Sequence, residues 1–234
     1  MDEECEKYDG EAGCDGDGDG DGGGGLRARL VRVGVELVNA EGAQALSLRE
    51  IARRAGVSHG APRRHFPTHL DLLSAIARQG FAELAARVAA DDRETAPPRE
   101  RIALLAGVYL DYAGARRGMY ELMFRHDLLE SGRLGLRETS LPLFAHLSGL
   151  VARVRPGADS VVVAGALWAN LHGIAQLWHW GSLRLATGAD DPAPLLAATL
   201  DAHLGPVAPA PLRPVAPAPL PDTHPGPTPT EPAP

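Results

Sequence analysis

Cysteine is nearly absent: the 234-residue chain has two, Cys5 and Cys14, both close to its start. Neither a disulfide framework nor a cysteine-based metal site can therefore hold the fold together. Aromatic residues make up only 5% of the chain, and β-branched residues are sparse outside the run Val161–Val163, so strands have little to build from. Lysine occurs once, at Lys7, against twenty-two arginines. That bias is read as the codon usage of a GC-rich genome, although arginine's planar fork also suits phosphate. No Gly-rich phosphate loop, no strand-turn-helix around a nucleophilic serine and no interior cysteine is present, which argues against an enzyme and against a cofactor. No apolar run has the length of a membrane-spanning helix. The acidic, Gly-rich start is the opposite of a secretory or transit signal, so the expected location is the cytoplasm, in association with the nucleoid.

What remains is a chain rich in Ala, Leu and Arg, 44% hydrophobic, which favours helices. Its net charge of -7 is unevenly divided. Residues 1–25 hold ten acids against Lys7, residues 26–90 hold ten arginines against five acids, and residues 91–234 hold twelve arginines against fifteen acids. A basic segment inside an acidic protein is the footprint expected of local nucleic-acid contact. Residues 1–25 have nothing to bury and repel one another, so they read as a disordered acidic tail. The Asp15-x-Asp17-x-Asp19-Gly20 run is no calcium loop, because its twelfth position is Leu26 instead of a bidentate Glu. Residues 205–234, with proline every two to four positions, read as a second, extended tail.

Between the tails the pattern is helical, and about nine helices are expected. Leu30, Val33, Leu37 and Val38 share one face of a first helix that Gly42 stops. Ser47-Leu48-Arg49-Glu50 forms a capping box opening a short second helix. Gly56-Val57 makes a turn, Ser58 caps a third helix running to about Phe66, and Pro67 breaks it. Thr68-x-x-Asp71 then opens a longer helix reaching about Asp91, and Pro97-Pro98 marks a domain boundary. Further helices are expected near 99–115, 118–130, 138–154, 158–182 and 191–204. The organisation is thus all-α: a helix-turn-helix unit over 26–90, including its linking helix, and a helical bundle over 91–204.

The stretch SLREIARRAGVSHGAPRRHFPTHLDLL, residues 47–73, carries the function. Two short helices joined by Ala55-Gly56-Val57 fit a helix-turn-helix, with Ile51, Ala52, Val57 and Phe66 as its small core. The Leu48-Arg49-Glu50-Ile51-Ala52 core, the Ala55-Gly56-Val57-Ser58 turn and the closing His65-Phe66-Pro67 resemble the DNA-binding domain of the tetracycline-repressor (TetR) family, over roughly residues 26–75. The resemblance implies a homodimer whose two recognition helices read palindromic double-stranded DNA, repressing transcription until a small-molecule effector releases it. It places Ser58, His59, Gly60 and Ala61 at base edges, and Ser47, Arg63, Arg64, His65 and His69 at phosphates. Two positions depart from the family pattern: Arg63 stands where Tyr is usual, and His69 where Lys is usual. They leave open a second reading, a dimeric ligand-binding or protein-interaction module without specific DNA binding. His65 and His69 are separated by the helix-breaking Pro67, so no metal pair is expected.

In the C-terminal half, Trp168, Leu171, His172, Ala175, Trp178 and His179 fall on one stripe of a helix. Trp168, His172 and Gly173 resemble the Trp…His-Gly signature of a TetR-family ligand domain, the WHG domain. Tyr109, Tyr112, Met119, Met123, Phe124, His126, Phe144, Trp168 and His172 are candidates to line a pocket, a set suited to an apolar or aromatic ligand. The family pairs its last two long helices across the dimer, which would bury Trp178 and Trp180.

Overall fold

The computed structural model describes residues 25–125, 127–128 and 135–206, and is all-helical among them. Both expected tails, apart from Gly25, Gly205 and Pro206, lie outside the described residues, as does His126. Ten α-helices are described: α1 (Leu26–Glu41), α2 (Leu48–Arg54), α3 (Ala61–His65), α4 (His69–Asp91), α5 (Pro98–Ala115), α6 (Arg117–Met123), α7 (Leu136–Val154), α8 (Ser160–His179), α9 (Ser182–Thr187) and α10 (Ala193–Leu204).

Helices α1 to α3 pack around Leu30, Leu37, Val38, Ile51, Ala52 and Phe66, all fully buried. Val57 is half-buried at the rim of that core. Ser47 caps α2, its hydroxyl oxygen accepting from the Glu50 amide at 3.1 Å. The expected reciprocal bond is absent, because the Glu50 carboxylate turns instead to Arg53 and Arg54. The third helix is shorter than expected and is capped at Gly60, with Ser58 only accepting through its backbone carbonyl in the turn before it. Pro62, which has no amide hydrogen to offer, fits that first turn.

Helix α4 is opened by a full capping box. The Asp71 amide donates to the Thr68 hydroxyl at 3.1 Å, and the Thr68 amide donates to the Asp71 carboxylate at 2.9 Å. From there α4 runs 23 residues into the C-terminal bundle, packing on α1 and then on α5, α6 and α7. Its far end is tied by a largely buried pair, Arg101 at the start of α5 donating twice to Asp92 at 2.7 Å.

Two helices differ from expectation. The sixth ends at Met123 instead of 130, with Phe124 turning out of the helix. The apolar helix expected over 158–182 ends earlier, α8 stopping at His179 with Trp180 as its C-cap, and Gly181, in the left-handed region at φ 77°, starts α9, a short helix that was not expected. The expectation that no segment has membrane-spanning length is also corrected. Helix α8 has 20 residues with mean hydropathy 1.3, enough by length and composition alone. Its inner face (Ala164, Leu167, Leu171, Ile174 and Ala175) is buried in the bundle, where α8 packs on α5, α7 and α10.

Candidate nucleic-acid interface and ligand cavity

The outer surface of the helix-turn-helix is built by its turn. Gly56 takes φ 67°, the left-handed conformation that lets the chain reverse, and the Val57 amide reaches back to the Ala52 carbonyl at 3.1 Å. Phe66, buried at the end of α3, holds that helix against α1 and α2. Ser58, His59, Gly60, Arg63, Arg64 and His65 are then exposed together, with Ala61 half-exposed. Ser47 and His69, at the N-terminal ends of α2 and α4, are exposed as well.

The arginines of this unit are not equivalent. Arg53 and Arg54 both engage Glu50, and Arg54 also reaches Glu41. These two guanidinium groups hold the Glu50 carboxyl at a pKa of about 2. Arg63 and Arg64 have no ion-pair partner among the described residues. Their charge is available to an outside anion, whereas that of Arg53 and Arg54 is largely answered within the protein.

In the C-terminal bundle a cavity of about 500 Å³ opens between α4, α5, α7 and α8. Its wall is apolar nearly throughout, with Phe81, Leu84 and Val88 from α4 facing Phe144 and Leu147 of α7 and Trp168 of α8. The polar lining side chains are Tyr109, Ser140, His146 and the indole of Trp168. His146 Nε2 lies 2.9 Å from the Asp92 carboxylate, so the cavity reaches the Asp92–Arg101 pair. The Arg101 guanidinium keeps the Asp92 carboxyl below the usual carboxylate range.

Of the ligand candidates, Tyr109, Phe124, Phe144 and Trp168 line this cavity. Tyr112, Met119 and Met123 do not, because they pack on α4 at Gly80. The Tyr112 hydroxyl donates to the Gly80 carbonyl at 3.2 Å, and a β-carbon at Gly80 would lie within 3 Å of both methionine sulfurs. His172 sits behind the wall, in a polar triangle with two tyrosines. Its Nδ1 is 2.7 Å from the Tyr120 hydroxyl and 2.9 Å from that of Tyr109, and the hydroxyls are 2.9 Å apart. With Nδ1 unprotonated, Tyr120 donates to it and Tyr109 donates to Tyr120, so both hydroxyl protons find an acceptor. Burial lowers the His172 pKa and pushes that of Tyr109 up to about 12, so neither is charged near neutrality.

A histidine held neutral by burial makes stability pH-dependent. Its folded pKa lies below the unfolded value of 6.5, so its contribution is complete above that pH and is lost as pH falls below it. Melting temperature is therefore expected to fall between pH 7.5 and 5.5. His172→Asn should flatten part of the decline; an equal decline in that variant would remove His172 as its source. His179, lowered mainly by burial, contributes in the same direction.

The comparisons with known proteins agree with this arrangement. A model of the tetR family of bacterial regulatory proteins matches residues 30–76, and one of tetracyclin repressor-like C-terminal domains matches residues 102–203. The chain belongs to the TetR family. It is thus a TetR-family regulator with an N-terminal DNA-binding and a C-terminal ligand-binding domain, in the family's all-α fold. A protein of unknown function from Rhodococcus sp. RHA1 is 28% identical, with a TM-score of 0.67 over 78% of this chain and 95% of that one. The multidrug binding protein EbrR, complexed with imidazole, is 27% identical, with a TM-score of 0.55 over 80% of this chain and 92% of that one. A TetR-family member from Streptomyces coelicolor A3, SCO1917, is 27% identical, with a TM-score of 0.54 over 76% and 97%. No curated protein matches the chain.

The α4 residues of the cavity, Phe81, Leu84 and Val88, were not singled out by sequence reasoning. Their spacing of three and four is visible in the sequence, but so is that of Leu72, Leu73 and Ile76 one turn earlier, which form solid core.

Proposed function

We propose that this TetR-family chain is a homodimeric repressor, gripping a palindromic operator with its two α3 helices until an apolar or aromatic small molecule enters the cavity. The observation that carries this reading is the course of α4. One end follows the recognition helix directly in the chain, α3 ending at His65 and α4 starting at His69, and the other forms a cavity wall through Phe81, Leu84 and Val88. A straight helix of this length spans about 35 Å. A ligand that shifts its far end moves the recognition helix, and two recognition helices fit DNA only at a spacing near one turn, about 34 Å.

On this reading Ser58, His59, Gly60 and Ala61 meet base edges in the major groove. Ser47, Arg63, Arg64, His65 and His69 hold phosphates. The DNA-binding unit comprises residues 26–90 and the effector and dimerisation unit residues 91–204. The second copy packs on α8 and α10, whose outer faces expose Val161, Val162 and Leu177 on one helix and Ala197, Ala198 and Ala202 on the other. Such a face, apolar and largely of small residues, allows close helix packing, and Trp180, 64% exposed, stands at its end. The apolar lining sets the effector class, with Ser140 and His146 available to a single polar group on it. The likeness to a multidrug binding protein supports that class.

Gly165 gives the test. It lines the cavity, and a β-carbon there would meet nothing within 4 Å. Gly165→Leu is expected to fill the space, raise stability by about 1 kcal/mol through helix propensity, and leave DNA affinity intact. A panel of apolar and aromatic compounds is screened for release of the unaltered protein from a fluorescent duplex. Hits should fail against Gly165→Leu; a hit that releases both proteins equally acts elsewhere, and the cavity is then not the effector site.

A further inference from the structure

The acidic segment before α1 has no part in the function so far described. It carries ten acids in 24 residues, four of them alternating with glycine from Asp15 to Asp21. The fold places its point of attachment beside the recognition helix. Helix α1 starts at Leu26, and the Arg27 guanidinium lies over the ring of Phe66, the C-cap of α3, 5.0 Å from its centroid. Arg63 and Arg64 of α3 have no ion-pair partner among the described residues. Arg27, Arg32 and Arg78 line a groove of about 520 Å³ between α1 and α4.

We infer that residues 1–24 dock in cis over the Arg63–Arg64 face of α3 when DNA is absent, an acidic stand-in for the phosphate backbone that sets the affinity and salt sensitivity of DNA binding. Reach is no obstacle, since 24 residues extend to at most about 80 Å and α3 is only five residues long. Asp15, Asp17, Asp19 and Asp21 put four carboxylates into seven residues of sequence, a charge complementary to a surface that otherwise meets an anionic backbone. Covalent attachment supplies the affinity that so weak a contact lacks. A short tether gives an effective concentration on the order of 1 mM, so a segment that binds its face at about 0.1 mM weakens DNA binding about tenfold. The interaction is between exposed charges, and salt screens it within a Debye length of about 10 Å at 0.1 M.

This inference rests on the DNA-binding reading, and the experiment separates the two. The full chain and its full-length variant with Asp15→Asn, Asp17→Asn, Asp19→Asn and Asp21→Asn are titrated by anisotropy against a 30-base-pair mixed-sequence duplex and against the chain's own upstream DNA. Both titrations are run at 50 and 200 mM salt, and again with Arg63→Ala and Arg64→Ala added to each chain. Tighter binding of the neutralised variant, about tenfold at 50 mM and about twofold at 200 mM, is the expected result, with the gain absent from the Arg63→Ala, Arg64→Ala pair. A gain that survives in that pair means that the segment only repels DNA, and overturns cis docking. Equal affinity of the two parent chains overturns it while DNA binding stands. If neither chain binds either duplex, both readings fall.

Discussion

Replacing Arg63 and Arg64 together by alanine is expected to weaken binding to DNA about a hundredfold at near-physiological salt, with little change in melting temperature. Both side chains are exposed on α3, and neither has an ion-pair partner among the described residues, so the fold loses almost nothing with them. On the proposed reading a dimer would lose four phosphate contacts. Each contact contributes about 0.9 to the slope of log affinity against log salt, so the slope should fall by between three and four. The loss should be nearly the same for operator and unrelated duplex, because phosphate contacts carry no sequence information directly. Arg53→Ala should weaken binding much less, since Glu50 already engages that guanidinium. Unchanged affinity and slope in the Arg63→Ala, Arg64→Ala protein would remove α3 from the interface.

The second large effect is on stability, at the joint between the two halves. Gly118 lies in the first turn of α6, where that helix meets the end of α1. A β-carbon there would sit 2.3 Å from the Val38 carbonyl oxygen and 2.9 Å from the Gly42 Cα. Both obstacles are backbone, so no side chain can rotate away and the helices must separate. Gly118→Ala is therefore expected to cost about 3 kcal/mol, roughly 10 °C in melting temperature. The control is Gly165→Ala, in α8, where a β-carbon meets nothing within 4 Å and helix propensity should raise stability by about 1 kcal/mol. Equal melting temperatures for Gly118→Ala and the unaltered chain would mean that α1 and α6 are further apart in solution.

The helix-turn-helix was legible in the sequence because its signals are local. Thr68 and Asp71 satisfy each other across one helical turn, Gly56 supplies the one reversal, and Pro67 ends α3 wherever the rest of the chain goes. Even there, competition between neighbours was invisible: Glu50 reads as half of a capping box, yet two arginines three and four residues on draw its carboxylate away. The cavity was legible only in part because its wall is a property of packing. Tyr109 and Tyr112 are the same residue type one turn apart on α5. The first borders the cavity and the second is sealed against Gly80, and only the position of α4 decides between them. Trp168 and His172 could be picked out as a pair, but the two tyrosines that hold His172 come from α5 and α6, more than fifty residues earlier.

The measurement that bears most directly on the account is a titration of the full chain, by fluorescence anisotropy at fixed near-physiological salt, against its own upstream intergenic duplex and a scrambled one. A homodimeric operator-binding repressor should prefer the native duplex by about a thousandfold or more, with two protomers bound per site. Equal, weak binding to the upstream duplex, the scrambled duplex and fragments selected from the whole genome would contradict it, and would leave a dimeric ligand-binding module whose Arg63 and His69 no longer serve an operator.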